Sequence, residues 1–347
     1  MKSPYFPLIY VLGAVTVCTF FLWCGGTIGS KAYSSEGVLP LRKIADVLLT
    51  GGTTRFDYQS YDPQTGLLFI AHLGDSVVTV FDTQSQKVIK DIPDIGSVHG
   101  VLAVPELDRV YASATKTNEV VAIDEKTLKI IARIPGGTYP DGMAFAPSVN
   151  KLYVSDETGS TETVIDVSSN TRVATIALGG EVGNTQYDSA TKHIFVNVQG
   201  RSDLAEIDPA SDKVSARYPL SGAKGNHGLL IDSLNRLAFI ACENNDKLLV
   251  MDLTTKRIVL NSSVCREPDV LAYDPDLRLL YIAGERGVVS LFRVWGRSVQ
   301  KLGDGFLGPN AHTVAVDKQT HRAYFPLKDV GGAPLLRIME PEGTSGR

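Results

Sequence analysis

The sequence predicts an all-β fold, a seven-bladed propeller, and three observations predict it. A polar residue ahead of a short apolar run recurs seven times, at spacings of 42 or 43 residues. Each interval holds four short runs with the composition of strands, and the last interval lacks a fourth run that the front of the chain can supply. A sustained period in this range signals a repeat architecture, and four antiparallel strands per unit of ~42 residues make a propeller blade.

The 347 residues carry a net charge of −4, so a general affinity for phosphate backbones is not expected. The first stretch differs from the rest. After Lys2 the apolar run LIYVLGAVTVCTFFLWCGG (8–26) is long enough to enter a bilayer, and small residues follow at Ser30 and Ala32. Residues 1–32 are therefore expected to be a signal peptide or an uncleaved signal anchor, and the protein to be exported, periplasmic or extracellular. Residues 33–40 read as a linker, 41–340 as the propeller and 341–347 as a disordered tail. Beyond the leader only Cys242 and Cys265 remain, and an oxidising compartment would permit a disulfide between them.

The repeat is set by phrases such as SVHGVLAV (97–104), YPDGMAFA (139–146), GNHGLLID (225–232) and NAHTVAVD (310–317). Their key letters are Asp57, His99, Asp141, Asn184, His227, Asp269 and His312. In the third unit the four strands are MAFA (143–146), KLYVSD (151–156), TETVID (161–166) and RVATIAL (172–178). The third strand ends in Asp in five units, at Asp82, Asp124, Asp166, Asp208 and Asp252, where a carboxylate can accept backbone N–H groups of the following turn. The sixth unit, with LFRVWGRSV (291–299), lacks this Asp and is the poorest copy. The seventh runs out after LLRIME (335–340). LRKIADVLLTGG (41–52) matches the fourth strands elsewhere, so the N-terminal strand is expected to complete the last blade and hide the open edges.

LYVSDE, LYIAGE and YDPDLRLLY (273–281) resemble the YVTN-type repeats of YncE-like β-propeller proteins, exported or surface proteins of bacteria and archaea. The similarity spans roughly residues 40–340. It implies the propeller fold and carries no shared catalytic signature. Single-stranded DNA binding is attributed to one branch. Here no basic stripe is visible and Trp295 is the one tryptophan after the leader, so nucleic acid is disfavoured as a partner.

In a propeller the first strand of each blade lines the channel, so the seven key letters are expected to ring its mouth. Three histidines, His99, His227 and His312, on the second, fifth and seventh blades, could converge on a divalent metal, zinc first, with an open position. Asp57, Asp141, Asn184 and Asp269, together with His72 at the end of a second strand and Tyr139 beside Pro140, would line a polar ligand pocket. Asp156, Glu157, Glu243, Glu285, Arg201, Arg266 and Arg286 fall on loops of the same face, whereas His193 and His321 fall on the opposite one. A competing reading makes the key letters turn residues, since Asn, Asp and His tolerate left-handed dihedrals or bond their own backbone. The glycine pairs at 51–52, 136–137 and 179–180 are turn elements, because no helix follows to cradle a phosphate. The sequence thus supports an exported propeller that binds a small polar ligand or metal at its upper face. A metal-dependent lyase or hydrolase using the three histidines is one alternative, and a surface scaffold for a protein partner is another.

Overall fold

The computed structural model describes residues 38–343. It contains seven four-stranded antiparallel sheets and no α-helix among the described residues. The expected leader at 1–32 lies outside the described residues, as do the last four residues of the expected tail.

The third blade shows why these residues make these strands. Its strands are Pro140–Ala146, Lys151–Asp156, Thr161–Asp166 and Thr171–Ala177, in that order from the axis outward. The second and third are buried almost without interruption, and the outermost alternates between exposed and covered positions. A strand packed by neighbouring blades on both faces is mostly apolar, as LYV and VI are, and the buried Ser155 and Thr163 beside them are hydrogen-bonded. At the rim one face meets water, and TRVATIA alternates accordingly. The second blade repeats this with Arg109–Ala114 and Glu119–Asp124 inside and Lys129–Pro135 outside. The core therefore lies between blades, in seven clusters. One of them joins Tyr281 and Leu291 of the sixth blade to Phe325 and Met339 of the seventh.

The turn aspartates act as expected. Asp82 accepts from Gln84 N at 2.9 Å, Asp166 from Ser169 N at 2.8 Å and Asp252 from Thr254 N at 2.7 Å. In the sixth blade, Val288–Trp295 and Ser298–Phe306 run directly into each other through Gly296, at φ 57°, and Arg297. That arginine reaches the neighbouring blade's Asp252 at 3.0 Å, so the missing aspartate is replaced by a contact between blades.

Ring closure follows the sequence. Leu41–Leu48 pairs antiparallel with Leu335–Pro341 as the outer strand of the seventh blade, from Leu41 opposite Pro341 to Leu48 opposite Leu335. Arg337 forks onto Asp46 with both bonds at 2.7 Å, a geometry that fixes register as well as charge. Ahead of this strand, Val38 bridges Asp304 and Leu39 is 7% exposed against Gly305, so the end of the segment read as linker is packed on the sixth blade.

The disulfide does not form: Cys242 and Cys265 are free, buried thiols. Cys242 belongs to the face of its strand that packs with Phe195 and Leu204 toward the fourth blade. Cys265 sits in the core shared with the sixth blade, its Sγ 3.5 Å from Ile282 O. The sheet of the fifth blade lies between the two cores: alternation along its second strand turns Cys242 to one side, and Cys265, in the loop beyond the fourth strand, is held to the sixth blade by its N–H bond to Ser290 Oγ at 2.8 Å.

Candidate functional site at the channel mouth

A repeated β-bulge aims the key letters inward. In five blades the first strand breaks register against the second, between Val98 and Val101, Pro140 and Met143, Val182 and Thr185, Asn226 and Leu229, and Pro268 and Leu271. Two residues face one at each break, which bends the strand and redirects a side chain. Those extra pairs contain His99, Asp141, Asn184, His227 and Asp269. The glycine of each HG or DG phrase has a separate cause. A Cβ on Gly100 would lie 2.0 Å from Asp141 O, and one on Gly228 would lie 1.9 Å from Asp269 O, so the next blade's bulge presses on bare backbone.

Left-handed dihedrals do not explain the key letters, although one of them, His99, does bond nearby backbone through Nδ1 at Ser97 O. None of the seven has positive φ; the left-handed residues stand two positions earlier, at Ser97, Tyr139, Gly225, Glu267 and Asn310. The turn is made there, and the key letter is free to face the axis.

The mouth is a cup of about 610 Å³. Of the expected residues, Asp57, His99, Tyr139, Asp141, His227 and Asp269 line it. Tyr58, next to the first key letter, closes it below. Its hydroxyl donates to Asn184 Oδ1 at 2.6 Å and lies 3.1 Å from His227 Nε2, so one side chain of the first blade crosses to the fourth and fifth. Under the tyrosine a second cavity of about 140 Å³ begins, and Asn184 faces this one rather than the cup.

The three histidines do not form a common centre. His99 is held by Ser97 O at 2.9 Å through Nδ1 and by the Tyr139 hydroxyl at 3.0 Å through Nε2. His312 is fully buried behind the cup wall, with Nδ1 at 2.8 Å from Asp269 Oδ2 and Nε2 at 2.8 Å from Phe56 O. Both partners accept, so both ring nitrogens carry protons and the ring is an imidazolium. Burial opposes that charge, but the hydrogen bond and charge of Asp269 prevail and raise its pKa. His227 stands alone at the floor, 3.7 Å from both Asp141 Oδ2 and Asp269 Oδ1, with Gln199 Nε2 3.1 Å from its Nδ1. Burial again opposes its charge, and Asp269, Asp141, Glu157 and Glu243 together carry its pKa up to about 9. Among the described residues, the ligand atoms that do cluster within 4.8 Å of one another belong to Asp269, Glu285 and His312. This buried triad could hold a metal ion.

His72 does not reach the cup. It is fully buried, stacked 4.0 Å from the Phe56 ring and 2.9 Å from Thr54 Oγ1, and burial lowers its pKa. Asp156 turns inward to Gly137 N, Thr161 and Thr163. Arg201 pairs with Asp203 at 3.1 Å, and Arg286 lines an adjoining depression with Glu267 at 2.8 Å. His193 and His321 bond Glu206 and Asp274 at 2.6 and 2.8 Å, as part of the framework.

Glu157, Glu243 and Glu285 do line the cup, and they belong to a second ring in the same register. The residue following each blade's second strand is Leu73, Thr115, Glu157, Gln199, Glu243, Glu285 and Lys328, at spacings of 42 to 44 residues. Burial raises the pKa of both Glu157 and Glu243; His227 relieves it and neighbouring carboxylates add to it. Arg55, also in the wall, sits 2.7 Å from Glu285 and 3.4 Å from Asp57. Asp141 is pushed well above the usual carboxylate range by burial, with His227 and His99 opposing. Asp269 stays below that range because His312, His227 and Arg55 outweigh its burial.

A scan against protein-family models and a search of the curated proteins found no match. Among solved structures, hydrazine synthase of Kuenenia stuttgartiensis is similar, with 14% sequence identity and a TM-score of 0.72 over 82% of this chain and 95% of that chain. At such identity the likeness concerns the fold alone, and with the sheet order it makes this chain a seven-bladed β-propeller.

Proposed function

We propose that this propeller is a binding protein that takes a small polar ligand into the cup at the mouth of its channel. One observation carries the reading. The ring of first strands brings side chains of several blades to a blind polar cavity of about 610 Å³, while Tyr58 fills the axis directly beneath it. Concave sites with a few convergent polar groups are where small ligands bind. The shape suits a molecule larger than a single ion, and nothing in the reading calls for bond-making chemistry. The apolar run 8–26 and the YVTN-like phrases suit an exported protein of the YncE-like kind.

A thermal-shift panel of small anionic, neutral and cationic molecules, run on the protein and on Tyr139→Ala, tests the reading. At least one class should raise the melting temperature of the parent and lose that effect in the variant. No stabilisation by any class would overturn it.

A second reading has its own observation in Asp269, Glu285 and His312. A histidine and two carboxylates form a donor set that zinc accepts. His312 would first have to give up a proton and its bond to Asp269. Elemental analysis of purified protein, with His312→Ala beside it, checks this. Stoichiometric metal in the parent and none in the variant would support a metal site, and an equal content in both would remove it.

A further inference from the structure

We propose that the ligand of the cup is a small organic cation, an alkylammonium such as the end of a diamine or polyamine chain, held by Glu157 and Glu243 above Asp141 and Asp269. This rests on the binding reading above and specifies its ligand class.

The charge is one-sided. Six carboxyl groups line the cup, from Asp57, Asp141, Glu157, Glu243, Asp269 and Glu285, against Arg55, Lys116 and His227, with the His312 ring behind the wall. Arg55 is already divided between Asp57 and Glu285. Glu157 and Glu243 form no hydrogen bond or ion pair with any other described side chain, although both are half-buried. Below them, Asp141 and Asp269 are 2% and 4% exposed, and each keeps one carboxyl oxygen with no hydrogen-bond partner, that of Asp269 facing His227 Nε2 at 3.7 Å. Buried carboxylate oxygens are rarely left unpaired, because their desolvation is then uncompensated. A positive group with N–H donors, entering from the open side, supplies what this wall lacks.

The geometry separates an organic cation from a bare one. Calcium gathers six to eight oxygens within about 2.3–2.6 Å of one point, and zinc about four ligands closer still. Among the described residues, Asp269, Glu285 and His312 alone approach that closeness. There Glu285 is occupied by Arg55 at 2.7 Å and Asn310 at 2.9 Å, and His312 by Asp269 and Phe56. Glu157 and Glu243 stand on separate blades on either side of the fourth. An ammonium needs one or two carboxylates at hydrogen-bond distance, and its methylenes can lie on Tyr58, Tyr139 and Leu73, which also face the cup. The tyrosine faces add attraction for the charge. An anion would meet the same wall as repulsion. A cation beside Glu157 and Glu243 also reverses the sign of the field on them, so binding should expel protons under mildly acidic conditions.

Titration calorimetry of the full chain at low ionic strength provides the test, with spermidine, tetramethylammonium, calcium, malonate and glucose as probes. Spermidine should bind, and tetramethylammonium, which has the charge but no N–H, should bind more weakly. Affinity for spermidine should fall at least roughly tenfold in Glu157→Gln/Glu243→Gln and weaken as pH falls from about 8 to 5. The two glutamates lie on the cup wall and bear no ladder bonds through their side chains, so this variant should melt with the parent; Glu243→Asp, which keeps the charge, serves as a second variant. Spermidine binding that ignores both substitutions overturns the proposal. Binding of malonate, glucose or calcium in its place, lost in Asp141→Asn, overturns the cation class and leaves the binding reading standing. Silence from every probe removes both.

Discussion

The two sides of the key-residue ring are built from equivalent positions yet serve different ends. On the side of the seventh and first blades, His312 is locked between Asp269 and Phe56 O, and Arg55 spans Asp57 and Glu285. Nearly every polar atom there has a partner. On the side of the third to fifth blades, Asp141 and His227 approach only to 3.7 Å, and Glu157 and Glu243 have no partner among the described side chains. The bulge aims Asp141, His227 and Asp269, whereas the first strands of the first and seventh blades pair without a register break. What also differs is whether the neighbours complete the hydrogen bonds. A repeat can therefore place a framework residue and a cup-facing residue at the same position of the unit, and satisfaction of donors and acceptors separates them.

The comparison breaks most sharply at the two histidines. His312→Ala leaves the Asp269 carboxylate and a buried carbonyl without their donor, and should cost about 3–5 kcal/mol by urea unfolding. His227→Ala opens onto the cup, where water can replace the ring, and should cost only about 1 kcal/mol. Equal losses would erase the distinction between the two sides.

A carboxyl far from the cup sharpens it further. Glu125 is buried beside Asp62, with the Thr65 hydroxyl 2.9 Å from Asp62 and 3.0 Å from Glu125, and burial plus Asp62 push its pKa up to about 8 from an ordinary 4.5. Its folded pKa is raised, so its contribution is fully present below about pH 4.5 and is lost as pH climbs through 8. Glu125→Gln should melt higher than the parent at pH 9, by about 2 kcal/mol in stability, with little difference at pH 4. Ligand binding should be untouched, because this site is not part of the cup. Asp141→Asn follows the same sign from within the cup. The parent should lose stability relative to the variant as pH rises past the ordinary aspartate range, by about 1–2 kcal/mol in denaturant titrations, and here ligand binding should change as well.

Tyr58→Phe is the smallest expected effect. Losing the hydroxyl removes its bond to Asn184 and its contact with His227, worth about 1 kcal/mol in unfolding experiments. The ring remains to fill the axis.

The architecture was legible in the sequence because a blade is local. Each strand is short, the turn aspartates mark strand ends, and the missing last strand is visible as LRKIADVL at the front. The ring of key letters was legible too, since a period of 42 or 43 residues must return each to one level. Its chemistry was not. Whether His312 points to a shared centre or to Asp269 depends on a carbonyl at Phe56, contributed from the far end of the chain, and no spacing reports that. His72 departs from its expected place for a similar reason, because stacking on Phe56 draws its ring into the core. Tyr58 stands one residue beyond a key letter, and an aromatic at that position in one unit alone is a usable sign. The glutamates of the second ring could have been assembled by applying the same register to the residue after each second strand. The disulfide failed on sheet parity, since Cys242 ends its strand facing the fourth blade.

The outer strand of the seventh blade sets a constraint on how the molecule is made. Its bonds join Asp46 to Arg337, 291 positions apart, so the toroid cannot shut until nearly the whole polypeptide is available. During synthesis six sheets can form in succession while the seventh waits, its inner strands presenting an open ladder to any passing chain. Assembly should be slow for the chain's size, with the seam as the last event on the way in and the first to part on the way out.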